Sequence, residues 1–151
     1  MSDSGFVLVD RPRPHVALVT LNRPERMNSM AFDLMLPLRD VLAEVTHDND
    51  VRVVVLTGAG RGFSSGADHK SAGAVPHVAG LTRPSYALRS MELLDEVILS
   101  MRRLHQPIIA AVNGAAAGLG LALLLFCDLR FASTNAAFVT SFSRRGLIAE
   151  H

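Results

Sequence analysis

The sequence has one cysteine, Cys127, so it cannot close an intrachain disulfide or build a cysteine-based zinc cluster. A lone thiol fits a reducing compartment, and residues 1–14 lack the positively charged start and apolar core of a secretory signal. Cytoplasmic residence is the expectation. Charge of neither sign is in excess, with 15 basic and 14 acidic residues leaving a net charge of +1. Aromatic residues make up 5% of the chain and do not interleave with basic ones. Both facts argue against a nucleic-acid-binding surface. Long uninterrupted hydrophobic runs are also absent. The richest one, residues 110–126, is broken by Asn113, Gly114, Gly118 and Gly120. It suits a buried strand followed by a buried helix, not a membrane span. His15, His47, His77 and His105 are scattered at spacings that suggest no metal site.

Hydrophobic residues, by contrast, make up 49% of 151 positions, enough to bury the core of one domain. Residues 6–10 and 15–21 read as short strands around a turn at Arg11-Pro12-Arg13-Pro14. Residues 30–46 place Phe32, Met35, Leu36, Leu38, Leu42 and Val45 on one helical face, with Pro37 marking a kink or a late start. Residues 51–57 form an aliphatic strand. Residues 71–85 are rich in Gly, Ala, Pro and Ser and lack a period, which reads as a mobile loop long enough for a function. Residues 86–104 carry a strong helical stripe ended by Pro107. Residues 108–112 form a buried strand, 118–126 an apolar helix, and 128–132 and 137–138 short strands. Strands alternating with helices predict an α/β fold with parallel pairs. No internal repeat or low-complexity tract is visible.

The stretch GRGFSSGADHK, residues 60–70, places very small residues where a buried strand hands over to a helix. Alone, Ser64-Ser65-Gly66-Ala67-Asp68 is an ordinary turn, and Gly118-Leu119-Gly120 is ordinary helix packing. Their joint occurrence carries more. VVVLTGAGRGFSSGADHK at 53–70, QPIIAAVNGAAAGLGLALLLFCDLRFAS at 106–133 and LNRPERMNSM at 21–30 together resemble the crotonase superfamily, the enoyl-CoA hydratase/isomerase group. The resemblance runs from about Phe6 to His151. It implies a crotonase-like ββα superhelix core and an acyl-CoA thioester substrate. Coenzyme A is then part of the substrate, and no separate cofactor or metal is implied.

The same resemblance implies that two backbone N–H groups hold the thioester oxygen. The first falls on Ala67 and the second on Leu119, where the family most often has glycine. A leucine keeps the N–H but reshapes the acyl pocket. Gly66 and Gly118 flank the donors and let the thioester approach. Arg26, Asp68, His69 and Lys70 fall on the segments that border coenzyme A in the family. Arg26 and Lys70 suit its phosphates, though as surface charges they need no function. Asp68 also suits a helix cap. Cys127 lies in a buried pattern and reads as an inert core thiol, and Tyr86 reads as packing at a helix start.

The two glutamates of the family's hydratases correspond here to Ala122 and Phe142, neither of which moves a proton. A 2-trans-enoyl-CoA hydratase would then need other acid/base residues. GLIAE at 146–150 resembles the Gly-Leu-x-x-Glu segment of Δ3,Δ2-enoyl-CoA isomerases, which places the proton-shuttling carboxylate on Glu150. Without the resemblance, Glu150 reads as a solvated or ion-paired loop residue. A non-catalytic acyl-CoA binder of the same fold is the third possibility. Family members continue beyond the point where this chain stops, so their C-terminal trimerisation helices are absent from it. The resemblance implies a homotrimer or hexamer at full length. Apolar faces meant for those helices would be uncovered in this chain alone, favouring association or poor solubility.

Overall fold

The computed structural model describes residues 5–68 and 95–142. The expected loop at 71–85, Tyr86 and the first part of the expected helix at 86–104 lie outside the described residues. Strands β1 (Val7–Arg13), β2 (Val16–Leu21), β3 (Val53–Gly58), β5 (Ile108–Val112) and β7 (Leu129–Ala132) form a five-stranded sheet in the order β1-β2-β3-β5-β7. The first pair is antiparallel, and β2, β3, β5 and β7 run parallel. Val, Ile, Leu and Ala fill the central strands, whose alternate residues are fully buried, as a sheet flanked by other layers requires.

Helix α1 (Phe32–Thr46) joins β2 to β3 and buries Leu34, Met35, Leu38, Val41, Leu42 and Val45. Of the kink or late start expected at Pro37, the late start is not seen: the helix begins at Phe32 and runs through the proline. Pro37 removes one backbone hydrogen bond, and the continuous apolar face outweighs that loss. β1 likewise runs through Pro12, where a turn was expected. It is an edge strand with a register shift between Asp10 and Arg13, the setting in which a sheet tolerates proline.

A second sheet was not foreseen. β4 (Gly62–Ser64), β6 (Ala115–Ala117) and β8 (Phe138–Val139) pair in parallel, in that order. Each follows a strand of the large sheet. A helix over residues 95–103, α2, follows β4 in the chain, and α3 (Leu119–Leu125) follows β6. The chain therefore repeats a strand in the large sheet, a strand in the small sheet and a helix, although its residues show no repeat. That is the ββα pattern implied by the family resemblance. Leu125, Leu129, Phe131, Phe138 and Val139 are exposed at the end of α3 and along β7 and β8. Among the described residues no helix is long and apolar enough to cross a membrane.

Candidate active site

The chain between β3 and β4 turns back on itself, and two asparagines hold it there. The Asn28 amide nitrogen donates to the carbonyls of Ala59 at 2.9 Å, Gly62 at 2.9 Å and Phe63 at 3.1 Å. Its oxygen accepts the Arg23 N–H at 2.8 Å. Asn113, leaving β5, donates to Gly60 at 2.9 Å. Asn28 is fully buried at a φ of 51°, in the left-handed region that asparagine tolerates better than alanine. Asn28→Ala takes a donor from the Ala59, Gly62 and Phe63 carbonyls, leaving Gly62 only the longer Asn113 bond at 3.3 Å, and adds backbone strain. It should cost about 3 kcal/mol or more, read from a urea titration. A loss below about 1 kcal/mol would show that the turn stands without it.

Past β4, residues 65–68 run beside residues 27–30. Ser65 donates its N–H to Met27 at 2.9 Å, Met30 to Gly66 at 2.8 Å, and Asp68 to Met30 at 2.9 Å. Ser64 is fully buried; its hydroxyl donates to the Asn28 carbonyl at 2.8 Å and accepts the Gly66 N–H at 3.2 Å. One peptide unit links the Gly66 carbonyl to the Ala67 N–H. Because that unit is planar and trans, tying the carbonyl to Met30 turns the Ala67 N–H to the opposite side.

The second arm comes from the start of α3. Gly118 has φ 50° and ψ −119°, a conformation that a side chain would oppose. Its N–H donates to Val139 at 3.0 Å, and its carbonyl accepts the Ala122 N–H at 3.0 Å. Leu119 is then the first residue of the helix, where an N–H has no acceptor within the helix. A Cβ at Gly66 would lie 2.6 Å from the Ala117 oxygen and 3.2 Å from the Leu119 nitrogen. One at Gly120 would lie 2.5 Å from the Ser64 oxygen. Only glycines permit this approach of the two backbones. Among the described residues, no acceptor is bonded to the N–H of Ala67 or of Leu119.

The structure therefore brings Gly66, Ala67, Gly118 and Leu119 together. Arg26 is exposed and ends a short 3-10 helix, Pro24–Arg26, beside Ser65, whose hydroxyl lies 3.4 Å from the Arg26 carbonyl. Asp68 is buried, and its carboxylate forms an ion pair with Arg23 at 3.1 Å. The helix start expected after Asp68 lies outside the described residues, as do His69, Lys70 and Glu150. Ala122 is buried one turn into α3, and Phe142 is half-buried.

Arg23 was not foreseen as a site residue. It is buried, with Asp33 and Ser29 each 3.4 Å from its Nη1 and the Phe6 ring centroid 5.8 Å from its guanidinium carbon. Cys127 is buried as expected, and burial pushes its thiol up to about 12. It should resist a thiol reagent at pH 8 in the folded protein and react on unfolding. Native labelling at the rate of a free thiol would contradict that placement.

The family model described as enoyl-CoA hydratase/isomerase matches residues 12–151. A probable enoyl-CoA hydratase of Mycobacterium bovis, echA12, is 68% identical over 98% of this chain and 52% of its own length. The crystal structure of a probable enoyl-CoA hydratase/isomerase from Mycobacterium abscessus superposes with a TM-score of 0.86 at 64% identity, over 97% of this chain and 54% of that one. That of a monofunctional enoyl CoA isomerase from Mycobacterium smegmatis gives a TM-score of 0.71 at 60% identity, over 89% and 53%. The chain thus spans about half the length of the relatives it matches. The family model covers nearly all of it, the folds agree, and the chain belongs to the enoyl-CoA hydratase/isomerase family.

Proposed function

We propose that the chain carries the thioester-binding half of an acyl-CoA active site, and that the intact protein moves the double bond of a 3-enoyl-CoA to the 2-position. The observation that carries this reading is the close approach of the Gly66 turn to the start of α3 across glycines, beside two backbone N–H groups, of Ala67 and Leu119, that no described residue accepts. Removing a proton from C2 of the acyl chain puts negative charge on the thioester oxygen. Donors already aimed at that oxygen stabilise the charge without reorganising, each contributing about 3 kcal/mol in other enzymes.

Glu150 serves as the base in this reading. Its carboxylate takes the proton from C2 and the electron pair moves onto the thioester oxygen. The double bond shifts from C3–C4 to C2–C3 as the pair returns, and the protonated carboxyl delivers its proton to C4. Charge and atoms balance, and one carboxylate is enough. Arg26 and Lys70 meet the phosphates of coenzyme A, His69 lines the pocket, and Gly66 and Gly118 leave room for the thioester. The M. smegmatis isomerase, 60% identical, is a relative whose reaction matches this reading, while echA12 at 68% carries a hydratase name. The alanine at 122 and the phenylalanine at 142, neither of which activates water, support this reaction over hydration. The protein is then cytoplasmic and assembles as a trimer or hexamer.

The test is a paired assay on the intact protein, offering a 3-enoyl-CoA and a 2-enoyl-CoA and following conjugation by ultraviolet absorbance. Gain of conjugation from the 3-enoyl substrate is the expected result. Hydration of the 2-enoyl substrate instead would overturn the isomerase reading. Ala122 and Phe142 also favour a second reading, a non-catalytic acyl-CoA binder. Tight coenzyme A binding with no turnover of either substrate would establish that one.

A further inference from the structure

The ion pair between Arg23 and Asp68 lies outside the chemistry described so far, yet it sits next to the first donor. Both side chains are buried, 8% and 5% exposed, and Nη1 lies 3.1 Å from the Asp68 Oδ2. The same nitrogen reaches the Ser29 carbonyl at 3.4 Å and the Asp33 carboxylate at 3.4 Å. The guanidinium carbon lies over the Phe6 ring, 5.8 Å from its centroid. The group is thus held on several sides.

Its two anchor points bracket Met30. Ser29 precedes Met30 in the strap formed by residues 27–30, and Asp68 follows Ala67 in the turn. Between them, Met30 donates to the Gly66 carbonyl and accepts from the Asp68 N–H. Those two bonds fix the planes of both peptides that flank Ala67, and so the direction of its N–H. A guanidinium that grips the strap at Ser29 and the turn at Asp68 prevents the two bonds from shearing apart. We propose that the Arg23–Asp68 pair positions the Ala67 N–H, making both residues positioning residues for the thioester oxygen; this rests on the reading of Ala67 as a donor.

The test uses the intact protein with a 2-enoyl-CoA carrying a ¹³C label at the thioester carbonyl. The infrared frequency of that carbonyl falls on binding in proportion to the hydrogen bonds it accepts. Asp68→Asn removes the charge but keeps the size, and Arg23→Lys keeps the charge with a shorter reach. Asp33→Asn removes a neighbour of the same guanidinium that is not attached to the turn.

Asp68→Asn should bind the labelled 2-enoyl-CoA with a smaller fall in frequency and convert a 3-enoyl-CoA about tenfold more slowly, with KM within about threefold. Arg23→Lys should lie between Asp68→Asn and the parent in both readings. It also serves as the reporter should Asp68→Asn fail to fold, since a fall smaller than the parent's is still expected. Asp33→Asn should lower the melting temperature and leave the frequency unchanged. If Asp68→Asn and Arg23→Lys lower only the melting temperature and bind with the parent's frequency, the pair is merely structural and the proposal is overturned. If the parent itself shows no fall in frequency, the reading of Ala67 and Leu119 as donors is overturned, and the proposal with it.

Discussion

Gly66→Ala should lower acyl-CoA turnover by about a thousandfold or more, the cost of misplacing oxyanion donors. The added methyl would sit 2.6 Å from the Ala117 oxygen and 3.2 Å from the Leu119 nitrogen. Both are backbone atoms and cannot swing aside as a flexible side chain would. Relief requires the turn and the start of α3 to separate, which moves the Ala67 and Leu119 N–H groups apart together. The residue also sits at a φ of +90°, where any Cβ adds strain. Gly5→Ala separates these causes, because Gly5 has a φ of +72° and nothing within 4 Å of a Cβ. It should lose some stability and keep its turnover. Full turnover in Gly66→Ala, with the fold verified by circular dichroism, would remove the two-donor site from consideration.

Glu150→Gln should reduce conversion of a 3-enoyl-CoA by about 10² to 10⁴-fold, with KM changed by no more than about threefold. Glutamine fills the same volume and keeps a carbonyl oxygen, but it cannot take a proton from C2. The donors at Ala67 and Leu119 are untouched, so binding of the thioester should persist. Coenzyme A affinity measured beside turnover then separates chemistry from binding. A variant that turns over normally would move the acid/base role to another residue. A variant that loses affinity and turnover in equal proportion would mean that Glu150 holds the substrate or the fold and does not shuttle the proton.

The two variants probe parts of the site that were unequally legible in the sequence. The parallel strands at Val53–Gly58 and Ile108–Val112 and the helix around Leu38 and Leu42 follow from aliphatic runs and helical spacing, signals that lie within a few residues of each other. The family resemblance carried by two separate stretches placed donors on Ala67 and Leu119, and the fold sets Gly66, next to the first, against the Leu119 nitrogen. β4 and β6 were not foreseen, because Gly62–Ser64 and Ala115–Ala117 are too short to show a period. They are strands only through pairing with each other and, for β6, with β8. Arg23 escaped for a related reason. An arginine before a proline in a loop reads as solvated, and only the fold brings Asp33 and Asp68 around it. Pro12 and Pro37 misled because a breaker's effect depends on its neighbours: one sits on a sheet edge, the other on a helix with a continuous apolar face.

The parallel pairing of β3 with β5 also sets an order of events in folding. The antiparallel β1–β2 pair and α1 draw on residues close together in the chain and can form early. Thr57 and Ala111, joined across β3 and β5, are 54 residues apart. Closing that loop sacrifices chain entropy before any contact rewards it, which slows the step. Ala67 and Leu119 lie beyond the two strands and meet only once this closure is complete. A folding chain would therefore show its hairpin and first helix well before it could hold a thioester, and the onset of acyl-CoA binding would time the last long-range docking of the backbone.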